Sequence, residues 1–311
     1  MAVIEMVLVL RALGLGDLLT GVPALRALRR ARPGAEIVLA TPERFSELAM
    51  LTGAVDRVQP TAGLGRLRPP DQPPALAVNL HGSGPESIAD LQAIRPRSLL
   101  THRHAAYPDV PGPSWRADIH EVDRWCALLE TADISCDPED LRIEPPVGSE
   151  RPGAVVIHPG AASQARRWPA DRFASVAAVL REAGRDVVIT GDSGETELAH
   201  TVARQAGLPE SAVLAGRLGL VELVALIAES AMLICGDTGV AHIATAAGAP
   251  SVLLFGPTPP SRWGPRSSGP HTVLWAGDSG DPHAAEPHPG LLRIAVDDVL
   301  DAVNSLDREP V

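Results

Sequence analysis

Residues 6–19 read Met6-Val7-Leu8-Val9-Leu10-Arg11-Ala12-Leu13-Gly14-Leu15-Gly16-Asp17-Leu18-Leu19, an apolar run that breaks into a glycine turn. An apolar run, a turn and then a helical pattern is the opening of a βα unit. A dinucleotide fingerprint needs a third glycine and, about 20 residues on, an acid for the ribose. Here the third glycine position is Leu19, and the next apolar run, Ile37–Thr41, ends without an acid. The turn has the outline of a phosphate loop but carries a carboxylate, Asp17, where such a loop needs small neutral residues.

The rhythm continues outward from this turn. MVLVL, PALRALRRA, EIVLA, ERFSELAMLTG and ALAVNL alternate apolar runs with helical patterns, which predicts a parallel sheet covered on both faces. Pro60–Pro74 reads as a loop, a helix is expected at about His120–Ala132, and the Pro- and acid-rich stretch Asp137–Gly153 reads as a linker. The alternation then restarts with AVVIHPG, PADRFASVAAVLREAG, DVVITG, ETELAHTVARQAG, AVLAG, GLVELVALIAES, AMLICGD, GVAHIATAAG and SVLLFGP. The reading is α/β, with two doubly wound Rossmann-like domains facing a cleft, over residues 1–147 and 148–290. Residues 291–311 form an amphipathic helix expected to pack back toward the first domain.

Composition narrows the function. The chain has 311 residues, 45% of them hydrophobic and 21% charged, enough to bury two cores. A net charge of −11 speaks against a nucleic-acid partner, which calls for a basic stripe. All 27 basic residues are Arg, and the absence of Lys excludes a Walker loop and Schiff-base chemistry. Cys126, Cys136 and Cys235 form neither a CxxC pair nor a disulfide framework, which fits a reducing cytoplasm. No secretory signal or membrane span is expected, because Glu5 interrupts the first apolar run and glycines and prolines break Thr238–Ser261. Arg26, Arg29, Arg30 and Arg32 on the first helix read as a solvated face, the alternative being a patch for transient membrane-surface contact.

The local chemistry is densest at Cys235–Pro250, CGDTGVAHIATAAGAP, a strand that turns into a helix at Thr238. A helix start presents free N–H groups to an anion, and Gly239 permits close approach. Asp237, Thr238, Gly239 and His242 are therefore candidates for holding a diphosphate. They fit equally a plain cap with His242 packed on the sheet. His158–Phe173, HPGAASQARRWPADRF, adds a polar loop with His158 and Gly160, then Arg166 and Arg167, whose planar forks suit oxyanions. The alternative for that pair is a surface stack on Trp168. In the first half, Asn79, His81 and Ser83 of NLHGSGPES, and His120 and Arg124 of HEVDR, are candidates to grip a polar acceptor, or else a turn and a solvated helix face. No DxD motif and no metal-ligand spacing occurs, so no metal is expected.

Three stretches in this order, LGLGDLLTGVPALRALRRARP, HPGAASQARRWPADRF and GDTGVAHIATAAGAPSVLLFGPTPPSRWGP, resemble glycosyltransferase family 9, the heptosyltransferase-like enzymes of the GT-B fold. The resemblance implies an inverting, metal-independent transfer of a heptose or similar sugar from a nucleotide-diphosphate donor to a hydroxyl. It places the general base on Asp17, flanked by Gly16, in a first domain that binds the acceptor. It places the donor in the second domain on Asp237, Thr238, Gly239 and His242, and puts Glu222 close to the donor ribose. The family's usual Lys two positions before the Trp falls on Arg166, which keeps the charge but not the geometry of an ammonium. No cofactor is implied beyond the donor itself, ADP-linked among the options. The acceptor is a glycan, lipid-linked or small molecule. Two other readings compete: a degenerate nucleotide-binding partner or sensor, and a nucleotide-sugar epimerase.

Overall fold

The computed structural model describes residues 5–266 and 269–308. The chain divides between Glu144 and Pro145 into two units, where the sequence placed the boundary after residue 147.

The first unit runs β1 (Met6–Leu10), α1 (Leu15–Thr20), α2 (Val22–Ala31), β2 (Glu36–Thr41), α3 (Ser46–Leu51), β3 (Arg57–Pro60), β4 (Leu76–Asn79), α4 (Glu86–Ala93), β5 (Ser98–Leu100) and α5 (Glu121–Glu130). Its sheet has the order β3-β2-β1-β4-β5, with every pair parallel. Leu10 lies between Ala40 on one side and Asn79 on the other. Building outward from β1 reverses direction between β1 and β4, which makes that crevice the topological switch point where α/β sheets bind ligands. Val7–Leu10 are wholly buried, as a central strand covered on both faces must be.

Helix α2 buries Val22, Leu25 and Leu28 and turns its arginines outward. Arg26 meets Asp140 at 2.6 Å, Arg30 meets the same carboxylate, Arg29 pairs with Asp56, and Arg32 meets Glu5 at 2.7 Å. The arginine run is thus an acid-paired face.

One expectation about the cysteines is corrected here. Cys126 and Cys136 are joined by a disulfide, with Cα atoms 5.1 Å apart. After α5 the chain turns back through Asp133, whose φ is +57°, and this reversal brings position 136 beside 126, within disulfide reach. Cys235 is a buried free thiol whose pKa burial raises.

The second unit runs β6 (Val155–His158), α6 (Ala170–Glu182), β7 (Val187–Ile189), α7 (Thr196–Gln205), α8 (Leu220–Ala228), β8 (Met232–Gly236), α9 (Gly239–Ala247), β9 (Ser251–Phe255), α10 (Pro260–Trp263), β10 (His271–Trp275), α11 (Pro289–Leu292) and α12 (Val296–Leu306). The order is β10-β9-β8-β6-β7, again all parallel, with the switch point between β6 and β8. The segment AVLAG is not a strand; only Val213 bridges to Ile189.

The terminal helix contributes to the second unit's core. Val299, Ala302 and Val303 of α12 belong to the second unit's core with Val252, Leu254 and Leu291, and Arg185 holds Asp307 at 2.8 Å. Its apolar stripe covers β9 and β10 and packs on α6, surface that would otherwise stay wet. Among the described residues, no helix is long and apolar enough to cross a membrane.

Candidate functional site

In the first unit the candidate residues collect at the β1–β4 switch point. Asp17 is the third residue of α1, and its Oδ2 accepts the N–H of Gly14 at 3.1 Å. The aspartate closes the glycine turn with one oxygen and keeps 27% of its side chain exposed. Oδ1 lies 3.9 Å from Nη2 of Arg11, a residue that the sequence reading left out. Arg11 is fully buried at the end of β1; its Nη2 donates to Thr20 Oγ1 at 3.0 Å and to Glu121 Oε1 at 3.3 Å. Its sequence sign was a charge closing an apolar run immediately before the turn.

His81 follows β4, and its Nδ1 accepts the N–H of Ala12 at 3.2 Å. Burial, then the Arg11 charge, lowers its pKa below the usual histidine value. The ring is thus set as a neutral acceptor beside the glycine turn. Gly16 is half-buried and its carbonyl accepts the hydroxyl of Thr20 at 2.9 Å, while half-buried Ser83 donates to the carbonyl of Gly84 at 3.5 Å.

Three acceptor candidates do other work. Asn79 is wholly buried, and its amide donates to Ser87 at 3.0 Å and Thr101 at 2.9 Å, pinning the loop after β4 to α4 and β5. His120 is the N-cap of α5, its Nδ1 accepting from Val122 N–H at 3.2 Å. Arg124 is buried, donates to Glu121 at 3.1 Å and to the carbonyl of Arg116 at 2.6 Å, and stacks 4.0 Å over Trp115. Buried polar groups find partners inside the fold before any ligand arrives, and sequence spacing gives no burial.

In the second unit the candidates again meet at a switch point. His158 ends β6 opposite Cys235 of β8, and Asp237 stands two residues further on. Asp237 is 6% exposed; burial raises its pKa, while Arg166 and a hydrogen bond from Thr258 pull it back down. Thr238 is the N-cap of α9 in extended backbone, with no side-chain cap bond. Gly239 begins that helix, and His242, one turn in, sets its ring edge-on to Trp263 with centroids 5.8 Å apart. His242 therefore packs against α10.

Arg166 reaches this turn directly, its Nη1 donating to the carbonyl of Asp237 at 3.3 Å, and its buried Nε has no hydrogen-bond partner among the described residues. Gly236 permits the approach, since a Cβ there would lie 2.9 Å from the carbonyl oxygen of residue 166. Trp168 is buried, with its indole N–H on the carbonyl of Ile294 at 3.0 Å, so the arginines are not stacked on a surface tryptophan.

Arg167 donates to the carbonyl of Ala161 at 2.8 Å, and its Nη2 lies 4.0 Å from Glu195 Oε1. Glu195 also stands 3.7 Å from His158 Nε2, and its carboxyl fills the space beside Gly160. His158 is held by Thr190 at 3.1 Å, and burial lowers its pKa from 6.5 to about 4, so the ring is neutral. Sequence reasoning missed Glu195; its sign was the polar, glycine-containing turn GDSGETE after β7. Glu222, placed in the donor set by resemblance, is an exposed cap whose carboxylate accepts the N–H of Gly219 at the start of α8. Among the described residues, no group of three or more His, Cys, Asp or Glu could hold a metal ion.

Two parallel, doubly wound five-stranded units, each with a polar cluster at its switch point, define an α/β protein of the GT-B type. Residues 109–283 match the model of glycosyltransferase family 9 (heptosyltransferase), and the chain belongs to that family. It is 35% identical over 126 residues to lipopolysaccharide heptosyltransferase 3 of Escherichia coli, a match covering 40% of this chain and 37% of that protein. With lipopolysaccharide heptosyltransferase 1 of Pseudomonas aeruginosa it shares 28% identity over 296 residues, 82% of this chain and 79% of the relative. The solved structure of the E. coli ADP-heptose lipopolysaccharide heptosyltransferase II shows the same fold, with TM-score 0.79, 22% identity and coverage of 97% and 98% of the two chains.

Proposed function

We propose that this chain transfers a heptose or similar sugar from a nucleotide-diphosphate donor to a hydroxyl of a glycan, lipid-linked or small-molecule acceptor, with inversion and without a metal. Family membership supports the class of reaction, and the solved relative is described by its ADP-heptose donor, which makes ADP-linked sugars the first to test. The observation that carries the reading is the turn from β8 into α9. There a helix start, glycine-permitted approach and the Arg166 guanidinium converge on one place. The N–H groups of Gly239 and Val240 that open α9 and an arginine fork are the two devices that hold a diphosphate and stabilise it as it leaves.

Asp17 is the base in this reading. A partly exposed carboxylate anchored by one oxygen can take the proton of an attacking hydroxyl. His242 stands beside the donor turn, and Glu195, with His158 and Arg167, forms a polar wall on the same edge of the second sheet.

The test is thermal stabilisation by ADP, GDP and UDP, since a ligand bound only by the folded state raises Tm. A shift with one nucleotide that His242→Ala abolishes supports the donor site. No shift with any of them overturns the transferase reading and favours a degenerate member with a partner-binding role. Turnover unaffected by EDTA is the expected result, and loss of activity that Mg²⁺ restores would remove the metal-free mechanism.

A further inference from the structure

Arg11 is a charged group at the heart of the first unit whose burial needs explaining. Its side chain is 0% exposed, and a guanidinium taken out of water requires nearly complete pairing. The pairing is present. Nε donates to the main-chain carbonyl of Asp17, Nη1 to the carbonyl of Leu80, and Nη2 to Thr20 and Glu121, while the guanidinium lies 5.0 Å over the Trp125 ring.

Glu121 is itself held in place, accepting the Trp125 indole N–H at 2.8 Å and Arg124 Nε at 3.1 Å. Gly21 leaves room for the fork, because a Cβ there would come within 3.0 Å of Arg11 Cδ and Nε. These bonds join the end of β1 to α1, to the loop after β4 and to α5. They grip the backbone of Asp17, whereas the carboxylate stays at 3.9 Å.

We propose that Arg11 is the positioning residue for Asp17: its fork fixes the helical turn that carries the carboxylate, and Glu121 is the counter-ion that keeps the cation from closing on that carboxylate. The proposal rests on Asp17 being the proton acceptor of the transfer reaction. A lysine carries the same charge but not the planar fork that reaches three elements at once.

Amide hydrogen exchange reads the positioning without any assay of transfer, because the Gly14 N–H is bonded to Asp17 Oδ2. In Arg11→Lys, Gly14 should exchange at least tenfold faster while Leu8 and Val38 in the sheet keep their protection. Unchanged exchange at Gly14 overturns the proposal. In Glu121→Gln, which keeps the arginine and removes its counter-ion, Gly14 should again exchange faster as the guanidinium competes for the Asp17 carboxylate. Wild-type exchange there overturns the counter-ion role.

Turnover supplies the second reading. Arg11→Lys should lower kcat about tenfold with ADP affinity within twofold, and should cost nothing more in an Asp17→Asn background, because residues that act as a unit are not additive. An equal cost in both backgrounds means a purely structural role and overturns the proposal. Should the wild-type protein transfer no sugar, the transferase reading fails by itself, and the exchange measurement still decides whether Arg11 sets Asp17.

Discussion

The carboxyl group of Glu195 occupies the volume that a side chain on residue 160 would fill: a Cβ built on Gly160 falls 2.0 Å from Oε1 and 2.1 Å from Cδ. Gly160→Ala should therefore push Glu195 away from His158 and Arg167. Calorimetric titration with ADP is expected to show at least a tenfold loss of affinity in the variant. Wild-type affinity would detach Glu195 from donor binding. Glu222→Ala is the contrast, since that residue caps α8: it should cost about 0.5–1 kcal/mol of stability and leave nucleotide affinity intact.

Asp17→Asn keeps the size of the side chain and an oxygen for Gly14 but removes the base. Turnover should fall about 100-fold or more while ADP affinity stays within twofold. A variant with wild-type turnover would hand the proton to another group.

Arg166→Ala removes the cation bonded to the Asp237 carbonyl and should weaken ADP binding by roughly 2–3 kcal/mol, the scale of a charge-assisted contact. Arg167→Ala should weaken it less, because that side chain is tied to Ala161 and Glu195. The reverse order in titration would move the diphosphate toward Arg167.

Stability should decline on the acid side of neutrality. His158 and His102 are buried as neutral rings with pKa lowered from 6.5 to about 4, His158 by burial and His102 by burial and then by Arg124. In the unfolded chain both titrate near 6.5, so between about pH 6.5 and 4 that state binds protons which the folded state refuses. The contribution is complete above about pH 6.5 and is lost as pH falls toward 4. Urea midpoints across this window should fall with pH, and His158→Gln should flatten the slope by about one proton. A wild-type slope in that variant would assign the dependence to other groups.

Much of the fold was legible because it is written in local periodicity. Central strands such as β1, β8 and β9 are continuous apolar runs, which only a sheet buried on both faces produces. The glycine turn, Asp17 and the Asp237–Gly239 helix start could be read in the same way, since turns and caps are short-range chemistry. The edge strands β3, β5 and β10 escaped, because a strand with one neighbour needs no apolar run and RVQP, SLL and HTVLW show none of useful length.

Only the tertiary structure decided which polar residues stay available. His120 and Arg124 fit an acceptor site by spacing, yet one caps a helix and the other is consumed by Glu121 and Trp115. Glu222 and Glu195 are both acids at helix starts in the sequence, and the order of the strands places Glu195, not Glu222, beside His158 and Gly160. Sequence by itself determined the alternation of elements and the chemistry of each turn. Strand order, the Cys126–Cys136 pairing, the packing of α12 and the burial of Arg11 came from contacts between residues far apart in the chain, where desolvation and partner geometry, not local preference, set the outcome.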